Sequence, residues 1–156
     1  MTCKHFSIEE LTPPGFQNWP LLDERLLETA DELHDLIVAQ YAKPGYKVVL
    51  LANTWKNGGK FKHRGWRPRD CATGSQNSYH KKGMALDLEA FLVNVSTGES
   101  SEIPPSEIRD HIRRWKLREG KLEHLGGLET DISWIHIDVR PVDGLIQFKA
   151  PTKGKA

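Results

Sequence analysis

An α+β domain, with helices leading into a small, largely antiparallel sheet, is the fold predicted by this 156-residue sequence. Three observations carry that prediction. Leu22, Leu26, Leu33 and Ile37 recur at helical spacing within one long segment. Residues 84–89 and 134–140 alternate apolar and polar side chains with the period of a strand. Near the end, Pro141, Val142, Asp143 and Gly144 make a turn between two apolar stretches.

Taken in order, Ser7, Ile8, Glu9 and Glu10 form a capping-box sequence that opens a short helix, and Pro13, Pro14 and Gly15 stop it. The longest helix is expected over residues 21–41, ended by Pro44 and Gly45. Val48, Val49, Leu50 and Leu51 make residues 47–52 a short apolar strand, expected at the centre of the sheet. Residues 53–77 form a long loop rich in glycine and basic side chains. A loop this long inside a compact domain is usually functional or disordered. Its glycines (Gly58, Gly59, Gly65 and Gly74) and its place just before a polar strand favour a binding role.

Beyond the first polar strand, residues 94–101 read as a turn-rich excursion around Thr97 and Gly98. Pro104, Pro105, Ser106 and Glu107 open a helix carrying Ile108, Ile112 and Trp115 on one face, ended by Gly120. Residues 122–128, with Gly126 and Gly127, read as an irregular edge strand. The last strand, residues 145–148, is expected to form a hairpin with the strand before it. Residues 151–156 read as a frayed polar tail. No repeat or interdomain linker is visible, so residues 1–156 are expected to be one domain with a core over about 4–148.

The two alternating strands carry the chemistry. Met84, Leu86 and Leu88 point one way, and Ala85, Asp87 and Glu89 the other. Ile135, Ile137 and Val139 share a face, and Trp134, His136, Asp138 and Arg140 share the opposite one. A core strand has no reason to place so many ionisable groups together. With His80 just ahead, the strands offer two imidazoles and a carboxylate, the set a catalytic zinc takes when its fourth position is kept for water.

The pattern Ser-x-His-x-x-Gly-x-Ala-x-Asp over residues 78–87, followed by Trp-x-His at 134–136, resembles the M15 group of zinc peptidases. That group contains D-alanyl-D-alanine carboxypeptidases and dipeptidases and phage L-alanyl-D-glutamate endolysins, and it shares its fold with the Hedgehog signalling domain. The resemblance implies a Hedgehog/DD-peptidase-like fold and Zn2+ bound by His80, Asp87 and His136. It spans most of residues 4–148. Residues 4–11 look like the family's opening helix, and Arg64, Gly65, Trp66 and Arg67 stand where relatives carry Ser-Gly-Tyr-Arg. The arginine of that motif helps hold the substrate carboxylate, which implies the same for Arg67. On the substrate side, Ser78 is expected to brace the His80 loop and Trp134 to form a cleft wall.

Zinc held by two neutral imidazoles and one carboxylate keeps a net positive charge. It can lower the pKa of water towards about 7 and polarise an amide carbonyl. A nearby carboxylate must then take a proton and pass it to the leaving amine. Many relatives carry Glu or Asp three residues before the second histidine, where this chain has Ser133. Asp131, five residues before His136, is the favoured base, with Asp138 and Glu129 as alternatives. The expected activity is hydrolysis of peptidoglycan stem peptides, as a D,D-carboxypeptidase or an L-alanyl-D-glutamate endopeptidase, in the manner of a phage or prophage lysin. Ser133 favours an alternative: a zinc-stabilised binding or assembly module of the same fold with weak or lost catalysis.

Composition narrows the other classes. With 22 basic against 21 acidic residues, there is no electrostatic case for nucleic acid or an anionic membrane, the basic run at 60–69 included. No apolar run approaches the roughly 18 residues that would suggest a membrane span. Residues 1–11 lack the basic-then-apolar order of a secretory signal. The expectation is therefore a monomer, cytoplasmic when made, reaching the cell wall by release or assisted export. Cys3 and Cys71 make no disulfide framework and suit a reducing compartment. His5, His34, His63, His111 and His124 have no motif support and default to surface or structural roles.

Overall fold

A computed structural model of the chain describes residues 1–149, so the expected tail at 151–156 lies outside the described residues. The opening helix α1 (Ile8–Leu11) starts at Ser7, whose backbone N–H donates to the Glu10 carboxylate at 2.8 Å. A 3₁₀ turn at Trp19–Leu21 precedes the long helix α2 (Glu24–Gln40). The Asp23 carboxylate caps α2 by accepting from the Arg25 backbone N–H at 2.9 Å. Leu26, Leu33 and Ile37 are buried along α2, as their spacing predicts. Strands β1 (Tyr46–Leu51), β2 (Ala85–Asn94) and β3 (Ser100–Glu102) follow, then helix α3 (Pro105–Leu117). Strands β4 (Gly127–Thr130), β5 (Ile135–Asp138) and β6 (Ile146–Lys149) complete the order.

The six strands form one mixed sheet in the order β1-β2-β5-β4-β6, with β3 also paired to β2. The fold is α+β as expected, but the sheet is mixed, because β6 runs parallel to β4. That corrects the expected hairpin. Both sides of β5 are already occupied, by β2 on one side and β4 on the other. The last strand therefore settles outside β4, one place further from its predecessor.

Two further positions are exchanged for the same reason. Of the segment expected at an edge, 122–128, only Gly127 and Leu128 form strand, in β4, which is internal, and the apolar run of β1 is an edge strand paired only with β2. Only Leu50 of β1 is fully buried. Hydrophobic periodicity locates a strand but does not say how many neighbours it acquires.

Leu86, Leu88, Ile135 and Ile137 line the apolar side of the central strands and join α2 and α3 in the core, where Ile108, Ile112 and Trp115 are buried. Among the described residues, no helix is long and apolar enough to cross a membrane. The long loop carries one 3₁₀ turn, Trp55–Asn57, and is pinned to α1 rather than free. Trp55 Nε1 donates to the Thr12 carbonyl, and the Trp66 N–H to the Leu11 carbonyl, both at 2.8 Å.

Candidate metal centre

The register of β2 against β5 sets Asp87 directly opposite His136 and Ala85 opposite Asp138. Opposed residues share a sheet face, so the polar face read from the alternation forms as one surface. His80 reaches it from the 3₁₀ turn Tyr79–Lys82. The Ser78 hydroxyl caps that turn by accepting the His80 N–H at 3.3 Å. Gly83 ends the turn with φ +69°, a left-handed conformation that glycine takes without penalty. A Cβ on it would also lie 2.0 Å from the Leu21 carbonyl oxygen.

The loop frames the site through its backbone. The Asp87 N–H donates to the Arg64 carbonyl at 2.7 Å, and the Arg67 N–H to the His80 carbonyl at 3.1 Å. The Gly65 carbonyl lies 2.9 Å from His80 Nδ1. Donation from that nitrogen leaves the Nε2 lone pair facing Asp87 Oδ1, 3.3 Å away. His136 Nδ1 lies 2.8 Å from the same oxygen. The three ligand atoms fall within 4.8 Å of one another, and all three residues are buried. Tetrahedral zinc with ligands at about 2.0–2.2 Å requires separations of roughly 3.3 Å between them, so the donor set fits that ion. The other nitrogen of His136, Nε2, lies 3.2 Å from Asp138 Oδ2. A carboxylate in this position would orient the imidazole if His136 held a metal.

Charge in the site follows from burial and these contacts. Burial opposes ionisation of Asp87, but His80 and His136 outweigh it and hold the carboxyl well below its usual range. Burial pushes His80 down, towards the neutral form a ligand needs. It also opposes a charge on His136, where hydrogen bonds to Asp138 and Asp87 prevail and raise the pKa to about 9. Asp138 is driven to about 2, because Arg140 and His136 overcome its desolvation.

Arg140 grips Asp138 with Nε and Nη2 at 2.7 and 2.6 Å. Its guanidinium lies over the rings of Tyr79 and Phe148, 4.6 and 4.5 Å from their centroids. Asp138 is thus a brace for His136, wholly shielded from solvent, and has no access to a substrate.

Asp138 also explains Gly127. The two are directly opposed across β4 and β5, and a Cβ at Gly127 would stand 2.3 Å from both carboxylate oxygens. Gly127→Ala is expected to cost about 1–3 kcal/mol, the range for overpacking a filled interior. The shift should appear as a lower denaturation midpoint at unchanged slope. A change within about 0.5 kcal/mol, as at an ordinary surface site, would contradict this account.

The remaining candidates separate clearly. Asp131 adopts φ +57°, its side chain is 71% exposed, and its carboxylate pairs with Lys149 at 3.6 Å. Glu129 is on the same face of β4 as Gly127, two residues away, and therefore on the side of His136. Burial raises its pKa; His136 and Arg67 pull it down, and Asp87 and Asp138 push it up. Trp134, 36% exposed, precedes β5 and joins the wall of a cavity of about 320 Å³ lined also by Phe61, His63, Arg67 and Asp87. The Trp134 carbonyl accepts from buried Arg109 at 2.9 Å. Arg67 spends Nε on the His63 carbonyl at 2.7 Å and Nη2 on Asp87 at 3.3 Å, while Nη1 donates to nothing among the described residues. Arg64 is committed to Glu89 at 2.5 Å.

Sequence reasoning missed the Gly65 carbonyl, the Arg109 contact and the Tyr79–Arg140–Phe148 stack. Only the Asp138–Arg140 pair left a signal, as two charges on one strand face. The chain matches no family model, no curated protein and no solved structure, so the geometry of the site carries the functional argument.

Proposed function

We propose that this chain is a zinc-dependent peptidase acting on peptidoglycan stem peptides, built on the Hedgehog/DD-peptidase arrangement that its sequence resembles. The observation that carries the proposal is the convergence of His80, Asp87 and His136 at one buried point beside a cavity open to solvent. Zinc held there supplies a Lewis acid that polarises an amide carbonyl and acidifies water.

The chain's own groups supply the rest. Glu129, half-buried with a raised pKa, is suited both to accept a proton and to return it to the leaving amine. It replaces Asp131 in this role, since the Asp131 side chain points to solvent and Lys149. Asp138 and Arg140 hold the His136 ring in place. Arg67 Nη1, with Lys60 and Lys62 at the cavity wall, offers positive charge to the free carboxylates of a stem peptide. Trp134 gives the peptide an apolar wall.

The zinc-loaded chain incubated with isolated cell walls should release new amino termini, and their identity names the bond cut. Bound zinc without released amines would favour the assembly-module alternative. Arg67→Lys keeps the charge but loses the planar fork. It is expected to lower kcat/KM on stem peptides about 10–100-fold, the worth of a hydrogen bond to a charged group. Zinc content is the control. Normal zinc with a raised KM marks carboxylate binding, whereas lost zinc marks Arg67 as a support for Asp87.

A further inference from the structure

The N-terminal segment meets α2 in a second cluster of metal-ligand type, separate from the site already described. His5 Nε2 lies 2.8 Å from Asp35 Oδ1, and His34 Nδ1 lies 3.8 Å from the same oxygen. One ligand atom from each of His5, His34 and Asp35 falls within 4.8 Å of the others. Close as the carboxylate is, it forms no hydrogen bond with either nitrogen. His5 Nε2 and His34 Nδ1 are both shut off from solvent and have no hydrogen-bond partner among the described residues. Buried nitrogens in a folded protein are nearly always satisfied, so two orphans facing one carboxylate need a partner.

The backbone holds this arrangement independently of the imidazoles. The Asp31 carboxylate accepts from the Lys4 N–H at 2.7 Å and the His5 N–H at 2.9 Å, which sets His5 against α2. Cys3 Sγ donates to the same carboxylate at 3.0 Å.

We infer that His5, His34 and Asp35 form a second zinc site, which fastens the N-terminal segment to α2. Two imidazole nitrogens and a carboxylate suit zinc, and separations of 2.8 and 3.8 Å bracket the roughly 3.3 Å between tetrahedral ligands. The Asp35 side chain is 61% exposed, which leaves the outer coordination position to water. The rings are now stacked, with centroids 3.9 Å apart and planes 12° from parallel. An ion lying in both ring planes requires them to splay, and the terminal torsion of histidine is broad enough to allow it. The ion then satisfies both orphaned nitrogens at once.

The test is zinc stoichiometry after equilibrium dialysis of the full chain against zinc. Wild type should hold two equivalents, with His34→Gln and His136→Ala each removing one and the double variant holding none. Hydrolytic activity should survive His34→Gln, because His34 is not part of the catalytic site. One equivalent in wild type, kept by His136→Ala and lost by His34→Gln, would support this site while removing the proposed catalytic one. Zinc content unaffected by His34→Gln, and equally by Asp35→Asn, overturns the inference. Should the His136→Ala chain fail to fold, the comparison of wild type with His34→Gln decides alone.

Discussion

His136→Ala is expected to release the zinc equivalent shared with His80 and Asp87, and to abolish hydrolysis more completely than the about 10²–10⁴-fold loss that follows removal of a general base. The reason is twofold. The ion would be left with two protein ligands, and Asp87 and Asp138 would lose the imidazole that now lies between them at 2.8 and 3.2 Å. The same geometry fixes a pH dependence. Without metal, His136 retains its proton up to about 9, because its two carboxylate partners outweigh burial. A raised pKa stabilises the metal-free fold below the ordinary histidine range, and that contribution is lost as pH rises through about 9. Zinc acts in the opposite sense, since it needs the neutral ring and must displace the proton. Apparent affinity should therefore climb with pH, with about one proton released per ion at neutrality. Calorimetric titration in buffers of different ionisation enthalpy measures that proton. An affinity flat between about pH 6 and 8 would show that His136 is already neutral in the metal-free chain, contrary to its two carboxylate contacts.

Glu129→Gln should leave zinc in place yet lower kcat by about 10²–10⁴-fold, with Asp131→Asn close to wild type. Glu129 is half-buried on the His136 side of β4, whereas Asp131 is turned outwards beside Lys149. Replacing a carboxylate by its amide preserves shape and removes the proton acceptor, so a structural role for Glu129 would show in stability and not in kcat alone. The inverse result, a silent Glu129→Gln and an inactive Asp131→Asn with zinc retained, would return the role to Asp131. It would also require the turn at Asp131 to rearrange when substrate binds.

What local physics governs was legible in the sequence. Capping at Ser7, the apolar stripe of α2 and the two-residue alternation of β2 and β5 each depend on near neighbours along the chain. For that reason the helices and the two polar strands could be read before folding, while the grouping of His80, Asp87 and His136 was implied by the motif resemblance. Tertiary structure alone decided which strand lies beside which. The pairing edges of β5 can be filled only once, and β2 and β4 fill them, so β6 runs parallel to β4 and β1 remains at the rim. It also decided the direction of Asp131, set by one positive φ in the turn before β5, and hence that Glu129 and not Asp131 lies on the side of His136. Asp138, an alternative to Asp131 as the base in the sequence reading, is enclosed by Arg140 and by the small residues Ala85 and Gly127 opposite it. The meeting of His5 with His34 and Asp35 joins segments far apart in the chain. No spacing rule covers such a contact, because it exists only after α2 has packed and Asp31 has taken hold of the N-terminal backbone.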